Sequence, residues 1–156
     1  MEYLIVKWLH ILSSTLLFGT GIGSAWYLLF AVISKNVQAI AVVTRILVIA
    51  DWLFTGVTML VQPATGFYLI HLAGFPLNTP WIKWSIVLFV IALLCWLPVV
   101  WLQMKMRDIA AAAMQQAAAL PDQFWRYFRA WVVLGIPAFF AFIGVFYLMV
   151  VKPAWG

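Results

Sequence analysis

The chain has 156 residues, 67% of them apolar and 8% charged, and carries a formal net charge of +5. A soluble domain is about half apolar and a quarter charged, and one of this length has too little interior to hide so much apolar surface. Composition therefore excludes a water-soluble globular protein and gives an integral membrane protein. Crossing the hydrocarbon core takes about 20 apolar residues, and four runs qualify, roughly 9–33, 46–72, 82–102 and 131–151. The reading is all-α: one membrane domain over 1–156, a four-helix bundle with a short cytoplasmic interfacial helix between helices 3 and 4.

The first run lacks the basic leader, short apolar core and small-residue cleavage site of a removable signal, so it reads as an uncleaved span. Ser34-Lys35-Asn36-Val37-Gln38 is a polar turn to the second run. The Gly and Pro breakers of 73–80 separate the second run from the third. The segment 105–124, with its Ala-rich stretch, Gln115, Gln116 and Leu120-Pro121-Asp122, is the expected interfacial helix. Lys35, Arg45, Lys105, Arg107, Arg126 and Arg129 flank the first and third connections, against Lys7, Lys83 and Lys152 on the other side. The positive-inside rule puts the first and third connections in the cytoplasm and both termini outward. Trp8, Trp81, Trp84 and Trp155 would then form an outer aromatic belt, and Trp101, Trp125 and Trp131 an inner one. The basic surplus suits anionic lipid headgroups and shows no nucleic-acid footprint. Cys95 is single, so it makes no intrachain disulfide.

Three features carry chemistry. On the first helix, Gly19 and Gly23 form a G-x-x-x-G pair, which permits close helix packing, a homodimer, or a flat ring against the face. His10, one turn inside the outer interface, is either a haem or metal ligand or an interfacial imidazole bonded to a carbonyl or water. On the second helix, Asp51, Thr55, Thr58, Gln62 and Thr65 recur at intervals of four, three, four and three, a polar stripe that must face the bundle because a charge in lipid is costly. Arg126, Arg129 or Arg45 is the expected partner of Asp51, making a buried ion pair in preference to a proton relay. His71 and Lys83 return to the side of His10 and could add a second ligand or a propionate contact. On a straight helix, however, His71 points about 180° from Gln62, and Pro63 supplies the kink that could bring it round. Nothing resembles a Ser/His/Asp set, a phosphate loop or paired carboxylates, which excludes hydrolysis and phosphoryl transfer.

Lys7-Trp8-Leu9-His10 with Phe18-Gly19, then 50–55, Gln62-Pro63-Ala64-Thr65-Gly66, 95–103 and Met106-Arg107-Asp108, resemble an uncharacterised bacterial family of four-helix inner-membrane proteins along nearly the whole chain. More distantly the pattern is similar to four-helix bacterial protoporphyrinogen oxidases and copper-resistance D membrane proteins. In the oxidases a Lys-x-x-His opens the first helix, as Lys7 and His10 do here, a Trp and Lys open the third, as Trp81 and Lys83 do, and a mid-helix Pro precedes a terminal Lys-Pro, as Pro137 precedes Lys152-Pro153. The chain departs from them in having Leu94-Cys95-Trp96 where they carry a histidine. The resemblance implies haem b with His10 as ligand, in a bacterial inner membrane. The leading expectation is thus a redox protein with haem b at His10 near the outer face, aided by His71, Lys83, Gly19 and Gly23, exchanging electrons with quinone or a redox partner protein. The rivals are copper or proton transport through His10, His71, Met59 and the Asp51 stripe, and a structural or assembly subunit without a cofactor.

Overall fold

The structure, a computed structural model, describes residues 1–153, and among these every regular element is helical. α1 spans Glu2–Ile33, α2 Val37–Ala50, α3 Val57–Ala73, α4 Pro80–Gln115 and α5 Asp122–Val151. A π-helical stretch, Asp51–Gly56, joins α2 to α3 without a break, so the two make one second span. Four helical spans are therefore long and apolar enough to cross a bilayer, and each apolar run of the sequence falls inside one of them. The helices overshoot those runs because nothing at the run ends breaks them. α1, with 32 residues, is roughly 48 Å long against a hydrocarbon core of about 30 Å.

The ends follow local chemistry. The Asn36 side chain accepts the Ala39 N–H and caps α2. Pro80 opens α4, where a missing N–H costs nothing. Gly74, at φ 69°, closes α3 in the left-handed conformation that a Cβ would strain.

No separate interfacial helix forms between the third and fourth spans. Residues 105–115 instead extend α4, for no Gly or Pro interrupts the chain between Pro98 and Pro121 and the alanines favour helix. Met106, Ala110 and Ala113, spaced four and three, carry the buried face of α4 past the apolar run. Two of the expected aromatic anchors are likewise turned inward: Trp81 and Trp131 are buried, whereas Trp8, Trp84 and Trp101 are exposed and Trp125 is half-buried. Trp155 lies outside the described residues.

Packing is uneven along the bundle. At the end that holds the two basic connections, all four spans share one core, in which Leu28, Ile40, Leu47, Met106, Phe124 and Trp131 are buried together. At the opposite end a smaller cluster gathers Trp81, Ile82 and Leu148, and the Lys152 ammonium lies 5.4 Å over the Trp81 ring. Between these ends α1 packs along α3 and α4 along α5, while α1 and α5 scarcely meet. The bridge between them is Phe18, whose ring lies 5.8 Å from Phe139 and 5.1 Å from Phe146. A seam therefore stands open between the first and last helices.

Candidate functional site

The polar stripe of the second span is real but serves two centres. Its outer part meets α1. His10 Nδ1 lies 2.8 Å from Thr65 Oγ1, and its Nε2 lies 3.2 Å from the Gln62 amide nitrogen. The Thr65 hydroxyl has one proton and gives it to the Val61 carbonyl at 2.7 Å, so it accepts from the imidazole. The bonding network thus assigns the proton to Nδ1 and leaves Nε2 to accept from Gln62. Gly66 makes the close approach possible, since a Cβ there would stand 3.3 Å from His10 Cε1.

This arrangement tests the haem expectation. An imidazole ligand uses one nitrogen for iron and donates the other N–H to an outer partner, and the Nδ1–H to Thr65 is such a bond. Nε2, however, is occupied by Gln62, and α3 closes over the ring. His71 and Lys83 are both exposed and form no hydrogen bond with His10. Among the described residues no group of three or more His, Cys, Asp or Glu side chains comes together as a metal site. Gly19 and Gly23 face elsewhere, into a groove between α1 and α2. A Cβ on Gly19 would meet nothing within 4 Å, and one on Gly23 only its own helix's Tyr27. The set His10, His71, Lys83, Gly19 and Gly23 is therefore not assembled around one place, and as arranged these residues do not fit a haem.

The inner part of the stripe makes the second centre. Asp51, Thr55 and Thr58 are buried, and Thr58 closes its hydroxyl onto the Phe54 carbonyl at 2.6 Å. Asp51 has no cationic partner: among the described residues the sole ion pair is the surface contact Arg107–Asp108, and Arg45, Arg126 and Arg129 are exposed. The expected ion pair is replaced by neutral donors from two other spans. The Trp96 indole N–H donates to Asp51 Oδ2 at 3.2 Å. With the Gln103 amide turned so that its nitrogen faces the carboxylate, it donates to the same Oδ2 at 2.9 Å, and its oxygen accepts the Trp131 N–H at 3.2 Å. One carboxylate oxygen thus takes both bonds, and the chain Asp51–Gln103–Trp131 ties the second span to α4 and α5. One turn on, the buried Thr55 hydroxyl stands beside the Asp51 carboxyl but makes no well-formed hydrogen bond, an uncommon state for a buried polar group.

Both groups line a cleft of about 420 Å³ in the seam between α1 and α5. Its α1 wall includes the small residues Gly21, Ser24 and Ala25, and its α5 wall Gly135 and Ala138. Rings of Phe18, Trp26, Trp96, Phe128, Phe139 and Phe142 complete it. Asp51 is the one titratable side chain in that lining. The cleft begins level with Phe128 on α5 and Gln103 on α4, beside Arg129 and Lys105 in sequence, and rises along α5 to Phe142. That is roughly 21 Å at about 1.5 Å per residue, from the basic end toward the middle of the bilayer.

Trp96, Gln103 and Trp131 were not legible as partners of Asp51 in the sequence. The signal was Trp96 and Gln103 standing seven residues apart, two turns of one helix face, in an otherwise apolar run. Gln62 and Thr65 were visible as a stripe, and the angular argument that set His71 apart from Gln62 agrees with an exposed His71.

A model of one protein family, described as predicted integral membrane protein (DUF2269), matches residues 4–153. No curated protein and no solved structure matches the chain.

Proposed function

The chain belongs to this family of integral membrane proteins, and from that premise we propose that it is an intramembrane binding protein for a lipid-soluble amphiphile, held in the cleft between α1 and α5. The ligand enters sideways from the bilayer. Its apolar body lies along Phe18, Phe139 and Phe142, and its polar head reaches Asp51 and Thr55. The observation that carries this reading is the pairing of a laterally open apolar cleft with a buried carboxylate and a buried hydroxyl that the protein itself leaves incompletely bonded. Ligand sites have this composition: apolar walls, a few convergent polar groups and a volume of about 300–1,000 Å³. An isoprenoid quinol, whose ring hydroxyl can donate to Asp51, is one molecule of the class and would join the protein to membrane electron transfer. In this reading the protein sits in a bacterial inner membrane with its basic end in the cytoplasm.

The test is extraction and mass spectrometry of what copurifies with the full chain in native nanodiscs, together with an absorption spectrum. The expected result is one amphiphile per protein, lost in Ala138→Trp, which fills the α5 wall. An equal amount of the same molecule on Ala138→Trp, or none on the wild type, overturns the reading. A Soret band abolished by His10→Ala would overturn it in favour of haem b at the outer centre.

A further inference from the structure

The bonding of Asp51 narrows the ligand's chemistry. Resting on the cleft reading, we propose that the ligand is a lipophilic aromatic cation with Asp51 as its counter-ion, and that Asp51 takes up a proton when the cation leaves. Three observations converge. Asp51 is 4% exposed and has no ion-pair partner, so its two N–H donors meet a charge on it with no countercharge, and a buried carboxyl in that state favours the protonated form or an incoming cation. Both of its donors fall on Oδ2, and Oδ1 takes neither bond. The lining is aromatic, with rings of Phe18, Trp96, Phe128 and Phe139 among it, and aromatic surroundings favour a delocalised cation.

No other charge competes. Every side chain that lines the cleft from α1, α4 and α5 is uncharged, the polar Ser24, Trp96, Gln103 and Trp131 among them, while Thr55 and Met59 come from the same span as Asp51. The balance closes: the Asp51 carboxyl gives its proton to water as the cation enters and regains one as the cation departs, so the site stays neutral in both states. A cation released at one membrane face and a proton at the other would make the exchange a transport step, and the seam between α1 and α5, joined chiefly through Phe18, is where the bundle can open.

The experiment uses the full chain in phosphatidylcholine nanodiscs, radiolabelled tetraphenylphosphonium as cationic probe, triphenylphosphine oxide as neutral probe, and empty nanodiscs as the correction. On the wild type, tetraphenylphosphonium binding should strengthen about tenfold per pH unit across the range in which Asp51 titrates, with about one proton released per cation bound. Asp51→Asn should weaken the cation about 30-fold and remove the pH dependence. Asp51→Glu should restore both in part. The neutral probe should bind wild type and Asp51→Asn alike, which also shows that the variant is folded. Equal cation affinity in Asp51→Asn, or affinity independent of pH in the wild type, overturns the charge assignment. If the neutral probe binds and the cation does not, the counter-ion role fails while the cleft reading stands. If neither binds, both fall together.

Discussion

Around His10 the Gln62 amide nitrogen and the Thr65 hydroxyl are bound by another helix, although the Gln62 oxygen stays buried without a partner, whereas around Asp51 the polar groups are turned toward a cleft. The two centres sit on the same polar stripe, eleven residues apart from Asp51 to Gln62, or roughly 16 Å along a helix. Both are built of an ionisable side chain held by an amide and a further polar group. At His10 both ring nitrogens are engaged, the ring is clamped against Gly66, and neither cavity includes it. At Asp51 one oxygen takes both bonds, the neighbouring Thr55 hydroxyl takes none, and α1 and α5 leave space beside them. The same chemistry acts as a clasp where two helices touch and as a receptor where they do not. A titratable group in a membrane span is thus read as functional or structural by whether its valences are closed, and not by its presence alone.

That contrast can be broken by substitution. The largest stability effect should come from His10→Leu, which leaves the Gln62 amide and the Thr65 oxygen facing an apolar side chain. A loss of about 1–3 kcal/mol is expected, read by denaturant titration in mixed micelles, with binding in the cleft unchanged. A His10/Gln62 double-mutant cycle should show a coupling of about 0.6 kcal/mol, the usual size for a hydrogen bond between membrane helices. If His10→Leu is neutral, the clasp is not what joins α1 to α3.

Smaller effects separate the glycines. Gly66→Ala puts a Cβ 3.3 Å from His10 Cε1, so the ring must yield by a few tenths of an ångström. A cost of up to about 1 kcal/mol is expected in the same titration. Gly19→Ala and Gly23→Ala should shift monomer stability by less than about 0.5 kcal/mol, because neither Cβ meets another helix. A loss of 2 kcal/mol or more at Gly19 would show that its groove is filled in the native membrane. Smallest of all should be Thr55→Val, which removes a hydroxyl that makes no well-formed hydrogen bond. Stability should be unchanged or slightly raised, while retention of the cleft ligand falls.

Much of the fold was legible in the sequence because the bilayer imposes a length and a polarity on every span. Four apolar runs implied four helices, Gly74 and Pro80 marked one boundary, and the intervals from Asp51 to Thr65 placed one face of the second helix inward. The expected interfacial helix failed because an alanine-rich segment has the same local preference whether it lies on the membrane or continues its predecessor. The burial of Met106, Ala110 and Ala113 against the basic-end core decided for continuation. Trp81 and Trp131 were read as belt residues because a tryptophan near a span end satisfies both an interface and a core, and the sequence holds no information on which way the ring turns.

The candidate site shows the same division. The sequence by itself determined that Asp51 must face protein, because lipid offers its carboxyl no partner, and left His10 open between a ligand and an interfacial imidazole. Only the tertiary structure decided which partner each would have. His10 was given to Thr65 and Gln62 by the packing of α1 on α3, and Asp51 to Trp96 and Gln103, with no arginine within reach, by the packing of the second span on α4. The open seam between α1 and α5 is likewise invisible in either helix. Each is apolar on most sides, and a cleft exists only where two such faces, one including Gly21 and Ser24 and the other Gly135 and Ala138, are set apart above the core that joins all four spans at the basic end.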